Sequence, residues 1–227
     1  MTLSVIIPTL NEEQTIRATL ARLQHPAFSE VLVVDGGSRD GTLAHVAAAV
    51  PTAKILTAPA GRAHQMNAGA AAAKGDVLLF LHADTLLPRT AAEDILTALA
   101  DPQGVGGRFD ARLLPDRGLL WLVGRMMSWR ARLTGIATGD QAIFVRRKVF
   151  EAIGGFPDIP IMEDVAFSAR LKQAGRVVAL RSCVVTSARR WERHGVLRTI
   201  FLIWKLRLLY FLGVSPERLK RLYVDAR

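Results

Sequence analysis

Val77-Leu78-Leu79-Phe80-Leu81 is an unbroken apolar run with Asp76 before it and His82-Ala83-Asp84-Thr85 after it. Such a run reads as a short strand buried on both faces, the kind that fills the middle of a parallel sheet. Its end is abruptly polar. In open α/β sheets, ligands are handled just beyond the carboxyl ends of the strands. Asp84 therefore stands where a metal or a phosphate-bearing ligand would be met. His82 is the odd member, since a second carboxylate would suit the same chemistry.

The residues around this run repeat the pattern. Leu3 to Pro8 and Val31 to Val34 are apolar strand signals, and Lys54 to Thr57 is a weaker one. Between them, Ile16, Leu20 and Leu23 fall at helical spacing after Asn11, a candidate cap. A turn over Gly36–Thr42 leads into a helix through Ala49, and Arg62 to Ala73 is an alanine-rich helix. Alternating strand and helix units predict a mainly parallel, Rossmann-like α/β sheet with helices on both faces. After residue 100 the pattern changes. Val105 to Arg112 reads as an exposed or antiparallel strand, Gly118 to Leu133 as a helix, and Ala142 to Arg146 as a strand. Glu163 to Ala174 reads as a helix stopped by Gly175, and Val177 to Leu180 as the last strand. The tail from Val196 is helical and very apolar.

The 227 residues, half of them hydrophobic, suit one large domain with a sizeable core. The reading divides it into a catalytic domain over 1–185 and a C-terminal helical extension over 186–227. Within the first, residues 1–100 form a nucleotide-binding half and 101–185 an acceptor half. A single cysteine, Cys183, excludes an internal disulfide and suits a reducing cytosol; it reads as a small buried hydrophobe. No signal-peptide pattern opens the chain, and no uncharged run is long enough to span a bilayer. The expected location is cytoplasmic, with the inner face of the cell membrane as an extension of it. The net charge of +10 suits an anionic partner. No zinc-knuckle, RNP-type or helix-turn-helix signature points to nucleic acid.

Four constellations carry chemistry. Pro8-Thr9-Leu10-Asn11-Glu12-Glu13 ends the first strand with backbone groups able to grip a planar base. Asp35, followed by Gly36 and Gly37, ends the second strand where a ligand can come close; it serves a base or ribose, or simply an Asx turn. Arg62 and Asn67 lie in a segment, Gly61 to Gly69, that opens a helix, so Arg62 meets an anion near a helix amino end. Glu163-Asp164 opens another helix. Adjacent acids there are either dipole partners or include a general base, and spacing alone leaves both open. A hard ion such as Mg2+ or Mn2+ takes few protein ligands when a diphosphate supplies the rest, so Asp84 alone can suffice.

Taken in order, these segments resemble the family 2 glycosyltransferases, which have a GT-A-type fold. The matching pieces are Ser4 to Glu13, Val33 to Thr42, Asn67-Ala68-Gly69, His82-Ala83-Asp84, Gly139-Asp140-Gln141, Gly154-Gly155-Phe156 and Glu163-Asp164. The resemblance implies inverting transfer of a sugar from a nucleotide diphosphate, uridine most often, to an acceptor hydroxyl. By it, Pro8, Thr9, Asn11, Glu12, Asp35, Gly37, Arg62, Asn67, His82 and Ala83 face the donor, and Asp84 meets the metal. Gly139, Asp140 and Gln141 face the acceptor, Asp164 is the base and Glu163 supports it. His82 departs from the family's Asp-X-Asp pattern, and a ribose contact is the role left to it. A narrower resemblance joins Gly61 to Gly69, Leu81 to Thr85 and Ser187 to Trp191 to a small bacterial group identified with arsenosugar biosynthesis. A metal-dependent nucleotidyltransferase and a catalytically reduced nucleotide-sugar or lipid-binding module are the competing classes. The first lacks a glycine-rich phosphate loop with lysine after the opening strand.

Two helices invite a further partner. From Gly118 to Leu133, Arg117, Arg125, Ser128 and Arg132 share one side. Leu119, Leu122, Val123, Met126, Met127, Trp129 and Leu133 form most of the other, with Arg130 inside it. That pattern suits packing on the core, or an anionic membrane surface and a lipid-linked acceptor. In the tail, Arg198 and Lys205 project from one side and Arg207 from nearly the opposite one, so core, membrane and a second copy in a homodimer are all open.

Overall fold

The structure, a computed structural model, describes residues 1–225; the last two residues of the expected C-terminal extension lie outside the described ones. One sheet organises the chain. Its strands are β1 (Leu3–Thr9), β2 (Phe28–Asp35), β3 (Lys54–Thr57), β4 (Val77–Phe80), β5 (Thr85–Leu86), β6 (Gly104–Leu114), β7 (Ile143–Arg146) and β8 (Arg176–Ser187). They lie in the order β3-β2-β1-β4-β7-β6-β8-β5. The β3-β2-β1-β4 half is wholly parallel. Beyond it, β7 runs antiparallel to β4 and β6, β8 runs parallel to β6, and β5 antiparallel to β8.

Side-chain alternation along β1 explains the layers. Leu3, Val5 and Ile7 face one side with α1 (Ile16–Leu20), α2 (Thr42–Ala49) and α4 (Ala91–Ala98). Ile6 faces the other with α3 (Arg62–Ala72), α6 (Arg147–Ala152) and α7 (Glu163–Ala174). Each fully buried Leu, Ile or Val on these strands contributes about 1.5–3 kcal/mol of transfer free energy. On the second side Phe80, Phe150, Phe156 and Phe167 form one aromatic cluster, with Phe156 and Phe167 stacked at 4.2 Å. That cluster fixes α7, and therefore Glu163 and Asp164, beneath the end of β4.

Several local expectations change. Of the two readings of β6, the antiparallel one holds on its β7 side; it is buried for most of its length, with β8 parallel on the other side, so it is not an exposed strand. Gly106 and Gly107 make this possible: a Cβ on Gly107 would strike both Phe144 and the Val178 carbonyl. β8 runs seven residues past Leu180, and Cys183 on it is half-buried. Asn11 caps no helix. It takes a left-handed backbone, and its carboxamide oxygen accepts the Arg39 N–H at 2.9 Å, tying the β1 loop to the β2 loop.

α5 (Gly118–Thr134) turns an unexpected face inward. Its buried residues are Leu120, Val123, Gly124, Ser128 and Ala131. Small residues let the helix lie close on β6: a Cβ on Gly124 would sit 3.1 Å from the Ala111 carbonyl, and Ser128 Oγ accepts the Ala111 N–H at 3.0 Å. Much of the predicted apolar arc is left outside. The tail forms α8 (Arg189–His194), α9 (Val196–Phe211) and α10 (Pro216–Asp225). Trp191, Val196, Ile200 and Ile203 pack with Leu120 and Val123 of α5, while Leu206 and Leu219 pack with Met162 and Val165 at the start of α7. Among the described residues, no helix is long and apolar enough to cross a membrane.

The fold makes a direct prediction about β6. Gly107→Ala, which forces a methyl against the backbone of β8, is expected to lower stability by about 1–3 kcal/mol. Urea denaturation of the two proteins measures it, and an unchanged midpoint would show that β6 and β8 are not held this closely.

Candidate active site

The parallel register sets β1 and β2 to end together, with Thr9 opposite Asp35. Beyond these ends and that of β4 lies a cleft of about 670 Å³. Pro8, Thr9, Glu12, Arg62, His82, Ala83, Asp84 and Asp140 all line it. Directly behind His82 a small hollow is bounded by Gly139, Glu163 and Asp164. His82 borders both, and the turn over Gly139–Gln141 gives Asp140 to the cleft and Gly139 to the hollow.

The acidic side is built around that turn. Asp164 accepts the Gly139 N–H at 2.8 Å and the Val165 N–H at 2.7 Å, which fixes its carboxylate. His82, only 8% exposed, sets Nδ1 3.2 Å from Asp140 Oδ1. Its Nε2 is buried with no protein partner and abuts Gly139, where a Cβ would collide with it. Burial opposes ionisation of Asp140, yet the hydrogen bond and charge of His82, with Arg190 and Arg62, hold its carboxyl well below the usual range. Burial raises Asp84, and the carboxylates of Asp140 and Glu12 add to the rise against the pull of His82 and Arg189. Glu163 is raised by burial and by Asp164.

Cations answer these acids from two sides. Burial lowers the Arg62 guanidinium, but the fields of Glu163, Asp140 and Asp164 more than offset it and its pKa is raised. From the other side comes α8, which sequence reasoning about the site passed over. β5 pairs with β8 through Thr85 and Thr186, and the Ser187 N–H donates to the Asp84 carbonyl at 3.2 Å. This brings Arg189 Nη2 to 2.6 Å from Glu12 Oε2 and 3.6 Å from Asp84 Oδ2. Arg190, Arg193 and His194 line the same wall. The available signal was the basic cluster Arg189-Arg190-Trp191-Glu192-Arg193 just after a strand. Two more guanidiniums, Arg130 of α5 and Arg207 of α9, feel the charge of Asp164; burial lowers Arg130 to about 10.

Other predicted residues stand back from the cleft. Asp35 is buried, and its carboxylate accepts the Gly37 and Ser38 N–H groups at 2.9 Å each and the Ser38 hydroxyl at 2.5 Å. Thr9 does line the cleft, but its carbonyl is committed, accepting from the Gly36 N–H at 2.9 Å and from Gln65 Nε2 at 2.8 Å. Asn67 gives both ends of its carboxamide to the Phe156 backbone, at 2.8 and 3.0 Å. Gln141 is fully buried, with Nε2 3.3 Å from the Phe109 carbonyl. Asn11 and Gly37 shape the loops behind Thr9. Left-handed backbone at non-glycine residues falls at Asn11, Ala142 and Met162. Each lies within or beside a predicted site segment, and strain of this kind costs about 1–3 kcal/mol and gathers at functional sites.

Among the described residues, no three His, Cys, Asp or Glu side chains are grouped to hold a metal alone. The donor set instead fits a cation shared with an anionic ligand. Asp84 reaches the cleft beside Glu12 and Asp140, and burial, with the like charge of these two acids, raises its carboxyl.

The fold recurs in solved proteins. A mannosyltransferase from Pyrobaculum calidifontis, solved with GDP-Man and Mn2+, is 25% identical with a TM-score of 0.67, covering 99% of this chain and 68% of that one. Staphylococcus aureus TarS, solved with UDP-GlcNAc, is 21% identical with a TM-score of 0.63, covering 83% of this chain and 59% of that one. Both have the GT-A-type α/β fold that the sequence predicts. Among curated proteins, the O-antigen chain rhamnosyltransferase WbaN of Salmonella anatum is 28% identical over 209 residues, 82% of this chain and 65% of that protein. An uncharacterised Mycobacterium tuberculosis glycosyltransferase is 33% identical over 134 residues, 57% of this chain and 59% of that protein. The chain thus spans about 60–65% of the length of these two curated relatives. The family description "Glycosyl transferase family 2" matches residues 4–154, and the chain belongs to that family.

Proposed function

We propose that the chain is an inverting glycosyltransferase, moving a sugar from a nucleotide diphosphate, UDP in our reading, to an acceptor hydroxyl with Mg2+ or Mn2+. One observation carries this: a cleft lined by Asp84, the His82–Asp140 pair and Arg62, with an arginine wall opposite, backs through His82 onto the small hollow that holds an anchored Asp164. Family membership and a fold neighbour solved with GDP-Man and Mn2+ support it.

In this reading Arg62, Arg189 and Arg190 bind and orient the diphosphate, whose charge they match. Asp84 holds the divalent ion, which when bound supplies positive charge against the departing diphosphate. Asp164 takes the proton of the acceptor hydroxyl as that oxygen bonds to the anomeric carbon and the diphosphate oxygen leaves from the opposite face. One displacement inverts the centre. Two backbone N–H bonds hold the Asp164 carboxylate for this task, and Glu163, its carboxyl raised by burial and by Asp164, stands beside it as a support. His82 orients Asp140, while Asp35 and Thr9 support the base-binding loop from below.

The acceptor in this reading is a small molecule or a lipid-linked one. An Aeromonas hydrophila undecaprenyl-phosphate 4-deoxy-4-formamido-L-arabinose transferase is 38% identical over 96 residues, 37% of this chain and 29% of that protein. Arsenosugar biosynthesis remains the narrower proposal. In its support, the three segments on which that resemblance rests all reach this one cleft, through Arg62, His82 and Arg189.

Two predictions follow from the roles. Asp164→Asn is expected to keep donor affinity and to lower kcat by about 10²–10⁴-fold; near-normal turnover removes Asp164 as the base. In a thermal-shift screen against UDP and GDP, with and without Mn2+, the ion is expected to enlarge the UDP shift. Asp84→Asn should erase that enlargement. A UDP shift indifferent to Mn2+ removes the metal from Asp84, and a larger GDP shift replaces uridine.

A further inference from the structure

We infer that α5 and α9 together form a docking face for an anionic lipid bilayer. This goes beyond the sugar-transfer reading and does not depend on it. The exposed large apolar residues concentrate on these two helices. On α5 they include Leu119, Leu122, Met126, Trp129 and Leu133, spaced by three and four residues, which is one helix face. On α9 the corresponding row is Leu197, Phe201, Trp204, Leu208 and Phe211. Trp129, Phe201 and Trp204 are 67%, 70% and 62% exposed. The inner faces of both helices are already used: Leu120 and Val123 pack with Val196, Ile200 and Ile203 in one small core. The outward rows are therefore a surplus that folding does not consume, and exposed apolar rows on two helices packed together mark an interaction site.

Charge selects the occupant. Residues 117–139 contain no Asp or Glu; of their arginines, Arg130 is turned toward Asp164 and Arg132 pairs with Asp110 at 2.8 Å, which leaves Arg117 and Arg125. Residues 193–216 contain no Asp or Glu; Arg193 lines the cleft and Arg207 is turned toward Asp164, which leaves Arg198 and Lys205. Arg198 and Lys205 border the α9 row, and Arg125 borders the α5 row, its guanidinium 5.1 Å above the Trp121 ring. Apolar rows flanked only by cations, with tryptophan among them, match the headgroup zone of an acidic membrane. A second copy of the chain fits poorly. Symmetric pairing would set the cationic borders against each other with no carboxylate on either helix to meet them. Since neither helix can cross a bilayer, the contact is peripheral.

The test is flotation of the purified full chain with phosphatidylcholine vesicles, with and without phosphatidylglycerol, in the absence of any donor. The chain is expected to float with the anionic vesicles, to stay behind with the neutral ones, and to be released by high salt. The triple variant Trp129→Ser, Phe201→Ser, Trp204→Ser should partition at least about tenfold less. Its melting temperature should not fall, because these side chains are already exposed. Flotation of the triple variant equal to that of the parent overturns the proposal. So does failure of the parent to float, or a dimer in solution that the triple variant dissolves. Donor hydrolysis, assayed separately, reports on the sugar-transfer reading alone.

Discussion

Five carboxylates, those of Glu12, Asp84, Asp140, Glu163 and Asp164, are gathered at one end of the sheet, and their mutual repulsion is the constraint on which the site depends. Such a group persists only if cations and hydrogen bonds offset it. The structure does this unevenly. Asp140 has His82, Arg190 and Arg62 and is held well below its usual range. Asp84 and Glu163 receive less and are raised. Asp164 is fixed by two backbone N–H groups. This asymmetry separates the roles proposed for chemically similar side chains: a strongly ionised spacer beside His82, a crowded carboxylate suited to a cation, and an anchored base.

Much of the fold was legible because hydrophobic burial writes itself into strands. Val5-Ile6-Ile7, Leu32-Val33-Val34 and Val77-Leu78-Leu79-Phe80 are buried on both faces, and their apolar runs say so. β8 was less legible. Most of it is only partly buried and Arg176 and Arg181 are exposed, so its pattern fades after Leu180. Missing the last residues of β8 meant missing α8, because it is the pairing of β8 with β5 that carries Arg189 to Asp84. β5 itself has two residues, too few for any period to show.

The same logic explains what residue type alone left open at the site. Asp35, Asn67 and Asn11 have residue types that suit ligand contact, but type does not reveal commitment. Asn67 is spent on Phe156 and Asn11 on the neighbouring loop. Their contribution is rigidity, which keeps the chemically exposed groups in register. In α5, the apolar arc suited either the core or a membrane surface, and the helix packs through Leu120, Val123, Gly124, Ser128 and Ala131. Close approach to β6 favoured small side chains, so bulk was turned outward. An acid-rich cleft and an acid-free pair of helices thus stand on one chain, one suited to a cation and diphosphate and the other to an anionic surface.

The central claim is that a nucleotide diphosphate lies between Asp84 and the arginine wall with its metal on Asp84. The most direct measurement is a crystal structure of the protein with UDP and Mn2+, with anomalous scattering used to locate the ion. The account predicts an anomalous peak at the Asp84 carboxylate, bridged to diphosphate oxygens that face Arg62, Arg189 and Arg190. A diphosphate bound away from these residues, or an ion with no contact to Asp84, would contradict it.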